Sequence, residues 1–509
     1  MIYTQLKKIT TWPLPWFAIG ITGVFLLSLT LHFWRLTEFN SLVFDEIYYA
    51  KFAVNYLQGV AFFDAHPPLG KYLIALGIWL GDRLDFNNDI QNNLTGMLLT
   101  PFQYRWLNAI TGSLICLIVA GISYQLTKRR SHSLIAAFFV SLDGLLLVES
   151  RLALINIYLI FFGLLGHWFF LLALDKRHQR WFWLPIAGIC CGACLAVKWN
   201  GLGFLLGIYL LWLGAWLMHW ITLINQKIVN NMTLSSKNIK SKFSIPLQQI
   251  TQIKLLPMLF NFGVIPALVY YIIWLPHLSL DRNTSFWEVH QQIFNFHKSM
   301  GNGANVHTYC SAWYTWPLMI RPILYFYETA INTTDPVPIY PPLPANVGKI
   351  IYAVQAMGNP VLWWTGTVAV ILLAIALFGV LLSNLKNWLN TTPINRLNSP
   401  NFNSPKISPA NLCIALYLFI NYGVNFFPWI IVTRCTFIYL YMPASIFVFL
   451  SLAWLVDSWL RSHKNEQKQM AINLIILILL SFIFWSPVYL GLPLSHIEHL
   501  MRLWLPSWL

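Results

Sequence analysis

The sequence has little charge. Asp, Glu, Lys and Arg together make up 10% of its 509 residues, whereas a soluble domain carries about 25%. Hydrophobic residues account for 57%, and the mean hydropathy is +0.60. A chain of this composition cannot cover a soluble globular surface with polar side chains, which excludes that class. The alternating segments of about ten residues that mark a transmembrane barrel are also absent, so we predict an all-α polytopic membrane protein.

Two further absences narrow the function. No internal repeat is visible, which argues against a transporter built from two related halves. No small-residue cleavage site follows the first apolar run, so we expect that run to remain as a membrane anchor.

Cysteine is scarce, with seven residues. Cys191 and Cys194 have C-x-x-C spacing, but they lack a second pair for zinc and the strand–helix context of a redox site. They lie beside small residues in one apolar run, which favours close packing between helices. Only Cys310 and Cys435 are placed near the predicted outer face, where a disulfide between them could form.

Eleven apolar runs approach the roughly 20 residues that a helix needs to cross a bilayer. We place these spans at 16–34, 105–124, 133–149, 152–172, 182–197, 201–222, 256–276, 362–383, 411–427, 435–456 and 471–490. With the N-terminus in the cytoplasm, the inner segments carry 19 of the 32 basic residues, as the positive-inside rule requires. Those segments are 1–15, 125–132, 173–181, 223–255, 384–410 and 457–470. The same distribution explains the net charge of +15, so we reject nucleic-acid binding.

The long loops differ between the two predicted sides. Residues 384–410 are rich in Asn, Pro and Ser, and residues 223–255 are polar and rich in Lys, as in flexible connectors. Residues 35–104 and 277–361 are rich in aromatic residues, and we expect them to lie on the outer membrane surface and roof a cavity. The predicted regions are an N-terminal transmembrane region (1–276), an outer-loop region (277–361) and a C-terminal four-helix transmembrane region (362–509).

The outer loop 35–104 concentrates ionisable residues beside the membrane. Phe44-Asp45-Glu46 is followed by Asp64-Ala65-His66-Pro67-Pro68-Leu69-Gly70-Lys71. Charge next to hydrocarbon is unfavourable, so such residues are candidates for a functional site. Two adjacent carboxylates suggest a general base or a cation site, although Asp45 could instead cap the helix that follows it. A residue before proline is kept out of the helical region, so the two prolines predict an extended strap near the site.

Isolated cations are placed on the same predicted face, which should be poor in Lys and Arg. They are Arg35, Arg151, Lys198, Arg321 and Arg434. Any one of them could be a side chain that snorkels from a helix end to the interface. Together they indicate an anionic ligand at the outer leaflet, such as a phosphate carried on a lipid.

Five groups of residues, spread over almost the whole chain, resemble protein O-mannosyltransferases. They are 44–46 with 64–71, 150–151, 197–202, 307–317, and 428–429 with 434–439. Members of this family transfer mannose from a polyprenyl-phosphate donor to Ser or Thr. The resemblance implies a GT-C glycosyltransferase fold with eleven spans, which agrees with the count from hydropathy.

Two features depart from the family pattern. Leu154-Ile155-Asn156 stands where a Leu-Leu-Asp pattern is expected after Ser150-Arg151, so any role of that acid is in doubt here. Residues 277–361 are too few for the β-trefoil domain that the eukaryotic enzymes carry in this loop. The chain therefore resembles the shorter bacterial form.

The residues and the resemblance together predict inverting mannose transfer to exported proteins at the outer face of the plasma membrane. Asp45 and Glu46 are the predicted catalytic residues. Asp45 is the base that takes the proton of the acceptor hydroxyl, and Glu46, like His66, orients Asp45 or the acceptor backbone. A phosphate leaving group needs positive charge but no general acid. For that charge we expect Arg151 first, then Arg35 and Arg434, and then Lys198 with Asn200.

Further residues are expected to orient the substrates. They are Asp64, His66, Lys71, His307, Trp313 and Trp316. The two tryptophans could equally anchor the loop at the interface. We expect no cofactor and no divalent metal, because arginines already supply fixed positive charge. In the rival interpretation, Asp45, Glu46, Asp64 and His66 are metal ligands.

Other functions and partners stay open. A related enzyme of the same fold could pass the lipid-linked sugar to a lipid or another glycan. A transporter or flippase would place charges along a path to both faces, whereas the candidates here crowd one face. The expected partners are the lipid donor and exported acceptor proteins, and the secretion machinery could be another.

Overall fold

The computed structural model describes residues 15–84, 91–230, 245–281, 283–331, 350–390 and 408–508. Within the predicted cytoplasmic segments, residues 1–14, 231–244 and 391–407 lie outside this part of the chain.

Helices dominate the described residues. In chain order they are α1 (Trp16–Phe33), α2 (Glu46–Gln58), α3 (Leu69–Arg83), α4 (Pro101–Thr127), α5 (Arg130–Ser141), α6 (Gly144–Arg151), α7 (Asn156–Asp175), α8 (Arg180–Val197), α9 (Leu202–Asn230), α10 (Leu255–Leu280), α11 (Phe286–Ser299), α12 (Pro360–Asn390), α13 (Pro409–Phe426), α14 (Met442–Leu460), α15 (Asn465–Leu490) and α16 (His496–Leu500). Among the described residues, ten helices are long and apolar enough to cross a membrane, and the bent pair α5–α6 completes an eleventh crossing. Each predicted span coincides with one of these, which confirms the helical membrane fold.

The third crossing is bent by 59° between α5 and α6. Asp143 lies at the break with an extended backbone, and its carboxylate accepts the Leu146 N–H at 2.9 Å, which caps α6. The other carboxylate oxygen accepts the Trp363 indole N–H from α12 at 2.6 Å. A capping acid inside the apolar run thus divides one predicted helix into two. The second of these helices, α6, packs against the sheet described below.

Small residues let α8 approach its neighbours closely. A Cβ added at Gly188 would lie 2.0 Å from the Asn261 carbonyl oxygen of α10, so only glycine fits there. Cys191 and Cys194, on the same helix, are buried and free. The packing interpretation of their C-x-x-C spacing is therefore confirmed.

The loops predicted to lie outside contain three amphipathic helices, α2, α3 and α11. α11 begins with a capping box in which Ser285 and Glu288 each accept the other's backbone N–H. Ile293 is buried, whereas Trp287 is 78% exposed. An exposed aromatic side chain on such a helix suits a position in the membrane interface.

A three-stranded antiparallel sheet is the part of the fold that the sequence does not predict. It contains β1 (Ile323–Ala330), β2 (Ile350–Ala356) and β3 (Leu494–Ser495), in that order. The register of β1 on β2 shifts between Leu324 and Phe326, so Tyr325 is the extra residue of a β-bulge. Because β3 comes from the C-terminal end of the chain, the pairing is non-local and leaves no short-range signal.

Candidate active site

Asp45 lies at the start of α2, directly after a strained residue. Phe44 has φ +52°, a left-handed conformation that is unfavourable for a bulky side chain and is found mainly where surrounding structure enforces it. Asp45 itself has a helical backbone, and its side chain makes no capping hydrogen bond to α2. The interpretation of Asp45 as a helix cap is therefore wrong. Its carboxylate is half-buried and accepts no hydrogen bond from any described residue.

The surroundings of Asp45 suit a general base. Burial raises the pKa of Asp45 to about 6, the positive charge of Lys198 opposes this rise, and the negative charge of Asp64 adds to it. A carboxylate with this pKa is ionised at neutral pH and still basic enough to take a proton in a reaction.

Glu46, the other predicted catalytic residue, has a structural position. It is fully buried and accepts four hydrogen bonds, two of them from the Arg105 guanidinium at 2.7 and 2.8 Å. The backbone N–H groups of Val43 and Ala153 donate the others, at 2.9 and 2.7 Å. Successive residues of a helix point about 100° apart, so Glu46 faces the core while Asp45 does not. We therefore correct the assignment of Glu46 from catalysis to anchoring.

The predicted strap between α2 and α3 is tied down by Lys71. Its ammonium group forms a buried ion pair with Asp64 and donates to the His66 carbonyl at 2.7 Å. His297 of α11 donates through Nε2 to the Ala65 carbonyl at 3.0 Å. Lys71 and Asp64 thus satisfy each other, and their observed role is to hold the strap.

Two histidines meet where α11 covers this strap. The His66 and His297 rings lie 5.6 Å apart. Burial, reinforced by the nearby cations Lys198 and Arg434, lowers the pKa of both rings, to about 4 for His297. Both rings are therefore neutral at pH 7. Among the described residues, no group of three or more His, Cys, Asp and Glu side chains could hold a metal ion.

Lys198 and Arg434 are the two cations whose charges act on both the His66 and His297 rings. Lys198 donates to the Asn156 side-chain oxygen at 3.1 Å, and its ammonium nitrogen lies 5.1 Å from the centre of the Tyr439 ring. Burial and, to a smaller extent, repulsion by Arg434 lower the pKa of Lys198 to about 8, and the negative charge of Asp45 opposes this shift. Among the described residues, neither cation forms an ion pair. Two neighbouring unpaired cations favour an anionic ligand.

Arg151 and Arg35 were expected to bind phosphate. Arg35 follows α1 closely, and the Arg151 side chain reaches the end of the same helix from α6. Arg151 donates to the carbonyls of Leu31 and Trp34 at 2.9 and 2.6 Å, so it caps the C-terminus of that helix. Arg35 pairs with Glu38. Arg151 and Arg35 are thus engaged by structural partners, whereas Lys198 and Arg434 have no ion-pair partner among the described residues.

The remaining predicted residues divide between the site and the core. Asn200 follows Lys198 closely, and its buried side-chain oxygen has no partner among the described residues. The His307 ring packs edge-on against Phe44, with the centroids 6.3 Å apart. Trp313 is half-buried, but Trp316 is 1% exposed and donates inward to the Ser311 hydroxyl at 2.9 Å. Trp316 is thus a core residue, which corrects its expected contact with the acceptor.

A disulfide fastens two of the sequence motifs together. Cys310 and Cys435 are bonded, the pairing that the sequence left open. Beside it, the Ser311 N–H donates to the Thr436 carbonyl at 2.8 Å, and the Thr436 hydroxyl donates to the Ser311 carbonyl at 2.7 Å. These contacts hold 307–317 against 434–439 next to Arg434.

An apolar groove of about 830 Å³ opens beside Trp199, the residue after Lys198. Its walls come from α8, α9, α10 and α11. The α10 wall contains a π-helical turn, Phe260–Val264, immediately before Pro266. Proline cannot continue the regular hydrogen-bond ladder, and a π-turn accommodates that defect.

Sequence reasoning missed Glu149 and Tyr325. Glu149 is completely buried and accepts hydrogen bonds from the Tyr325 hydroxyl and, at 3.0 Å, from the Asn156 amide. An acid inside an apolar span was a usable signal for Glu149. No sequence signal identifies Tyr325, because its position beside Glu149 depends on the bulge in β1.

Comparison with known proteins gives two matching family models. "Dolichyl-phosphate-mannose-protein mannosyltransferase" matches residues 22–280, and "C-terminal four TMM region of protein-O-mannosyltransferase" matches residues 282–508.

Individual relatives agree with these models. The polyprenol-phosphate-mannose–protein mannosyltransferase of Mycolicibacterium smegmatis is 24% identical, over 96% of this chain and 92% of its own. That of Mycobacterium tuberculosis is 23% identical, over 96% and 91%. A Saccharomyces cerevisiae structure, the protein O-mannosyltransferase Pmt1-Pmt2 complex bound to the sugar donor, has a TM-score of 0.70 at 14% identity. It covers 99% of this chain and 94% of its own, and shows that the fold is shared.

Proposed function

The chain belongs to the dolichyl-phosphate-mannose-protein mannosyltransferase family, and we propose that it transfers mannose from polyprenyl-phosphate-mannose to Ser or Thr hydroxyls of exported proteins, with inversion. The relatives in mycobacteria are named for this donor and for a protein acceptor. The observation that carries the proposal is the free, half-buried Asp45 carboxylate, whose charge acts on Lys198, a cation with no ion-pair partner among the described residues.

In the proposed reaction, Asp45 accepts the proton of the acceptor hydroxyl. The hydroxyl oxygen attacks C1 of mannose from the face opposite the phosphate, and the bond from C1 to the phosphate oxygen breaks. That oxygen leaves with the bonding electron pair, and polyprenyl phosphate departs as an anion. A phosphate is stable as an anion, so one base suffices and no general acid is required.

The departing phosphate would bind Lys198 and Arg434. Fixed donors aimed at developing negative charge stabilise the transition state without reorganisation. The groove beside Trp199 would take the polyprenyl tail, because its lining is apolar and includes Trp199, the residue directly after Lys198.

The direct test is an assay with purified protein, radiolabelled polyprenyl-phosphate-mannose and a Ser/Thr-rich peptide. Labelled peptide is the expected product. Label in a lipid instead would favour the alternative enzyme with a lipid acceptor. Donors with one or two isoprene units should be poorer substrates than long-chain donors if the tail uses the groove.

Lys198→Met should lower kcat by about 10–10²-fold, because hydrogen bonds to charged groups contribute about 1.5–3 kcal/mol. Arg35→Met is the matched control, because Arg35 lies outside this cation pair and is paired with Glu38. The measurement is kcat at saturating donor and peptide. Equal losses in the two variants would contradict the assignment of the phosphate site.

We also propose that the N-terminus is cytoplasmic and that the site faces outward across the plasma membrane. The disulfide supports this side, because disulfides persist in oxidising compartments. An engineered thiol at the exposed Asn302 (Asn302→Cys) should react with an impermeant maleimide in intact cells. A thiol at the exposed Lys464 (Lys464→Cys) should react only after permeabilisation. The reverse pattern would invert the topology.

Transfer should proceed without a divalent metal. Glu46 is saturated by Arg105 and backbone donors, and Asp64 is paired with Lys71. The carboxylates of the rival metal site are thus already engaged, apart from Asp45. We expect full activity after EDTA treatment and dialysis. A loss that Mn²⁺ or Mg²⁺ restores would favour the metal interpretation.

A further inference from the structure

Glu149 is a buried acid for which the reaction has so far supplied no role. It lies near the end of α6, is completely buried, and has no ion-pair partner among the described residues. Both carboxylate oxygens accept hydrogen bonds, one from the Tyr325 hydroxyl at the β-bulge and one from the Asn156 Nδ2 at 3.0 Å. An ionised carboxylate is acceptor-only and fits this pattern.

Asn156 connects Glu149 to Lys198. Its amide nitrogen donates to Glu149, so its side-chain oxygen faces the other way and accepts from the Lys198 ammonium group at 3.1 Å. All three side chains are at most 8% exposed. An amide side chain can donate to a carboxylate through its nitrogen while its oxygen accepts from an ammonium group.

Lys198 needs a negative charge that persists during the reaction. The charged groups that act on it are Arg434, Asp45, Glu149 and Asp64, and it also lies over the Tyr439 ring. In the proposed mechanism Asp45 becomes neutral when it takes the acceptor proton, and Asp64 is already paired with Lys71. Glu149 lies outside the proton path, so its charge is unaffected.

We infer that Glu149 is a positioning residue, which acts through Asn156 to keep Lys198 charged and directed at the donor phosphate. This inference rests on the proposed function. It predicts that the site needs one carboxylate in the Glu149–Asn156 pair, and that either position can supply it.

The test is a charge-exchange series. Glu149→Gln should lower kcat by about 10–10²-fold and leave KM for the acceptor peptide unchanged. Asn156→Asp alone would place two carboxylates in contact and should also lower kcat. The double variant Glu149→Gln/Asn156→Asp restores a single carboxylate, now directly beside Lys198, and should recover at least about tenfold over Glu149→Gln.

Two controls separate positioning from folding and from the proposed function. Asp457→Asn removes another fully buried acid, which pairs with Arg129, and should lower thermal stability without changing kcat of the folded enzyme. Affinity for polyprenyl phosphate alone is measured on the same series and should fall and recover in parallel with kcat. This second measurement remains valid even if the acceptor is not a protein.

The inference is overturned if Glu149→Gln binds polyprenyl phosphate as tightly as the wild type. It is also overturned if the double variant, at equal stability, is no better than Glu149→Gln. Absence of transfer in the wild-type protein, with parallel changes in phosphate affinity, would instead reject the proposed function and keep the role of Glu149.

Discussion

Asp45→Asn should lower kcat for mannose transfer by about 10²–10⁴-fold, the usual effect of removing a positioned base. Asparagine has nearly the same shape but cannot accept the hydroxyl proton. The side chain makes no hydrogen bond within the described structure, so the substitution should leave folding intact. The measurement is single-turnover transfer with purified protein at saturating donor.

Asp82→Asn is the control for Asp45→Asn, because Asp82 is an exposed acid on α3 in the same loop. It should retain wild-type activity. If Asp45→Asn keeps more than about a third of wild-type activity, Asp45 is not the base.

The pH dependence follows from the same residue. Burial raises the pKa of Asp45 to about 6, and only the ionised carboxylate is a base. The value of kcat/KM should therefore fall about tenfold per unit below pH 6. It should be level between about pH 6 and pH 8 and fall at higher pH, because Lys198, with a pKa of about 8, loses the charge that binds the phosphate. A profile that is flat down to pH 5 would contradict this role.

Arg105→Ala should lower the free energy of unfolding by about 3–5 kcal/mol, because it leaves the Glu46 charge buried without its partner. Arg105 also donates to three carbonyls of the loop before α2, those of Leu36, Phe39 and Ser41. The same change should therefore loosen the segment that positions Asp45. Unfolding in detergent can be followed with a thiol-reactive dye, since Cys116, Cys190, Cys191 and Cys194 are free and buried.

Lys128→Ala is the matched control for Arg105→Ala. Lys128 pairs with Asp175 at 2.8 Å, but both side chains are about one-third exposed. Such a pair contributes about 0–1 kcal/mol. Equal destabilisation by the two substitutions would show that the buried Glu46–Arg105 pair is not the anchor of this loop.

The membrane crossings could be predicted because their cause is local. A helix that satisfies its own backbone groups and carries apolar side chains is stable in lipid wherever it occurs. The bend at Asp143 shows the limit of this reasoning. It needs an indole from α12, more than two hundred residues away, to satisfy the second carboxylate oxygen.

The candidate residues could be found from their types, but their roles could not. Glu46, Lys71 and Arg151 are ionisable residues near the membrane, as predicted, yet each is engaged by structural partners. A sequence shows that a charge is present beside hydrocarbon. It does not show whether another part of the chain neutralises it.

The sequence by itself determined the helical membrane architecture, the number of crossings and the motif around Asp45. Each of these is set by residues that are close together in the chain. Only the tertiary structure decided which ionisable residues remain free for chemistry. The charge of Arg434 acts on Lys198, more than two hundred residues away in the chain, and a strand bulge directs Tyr325 to Glu149. Whether two charges that are far apart in the sequence form a pair depends on the distance between them in the folded protein. That distance is fixed only when the helices pack.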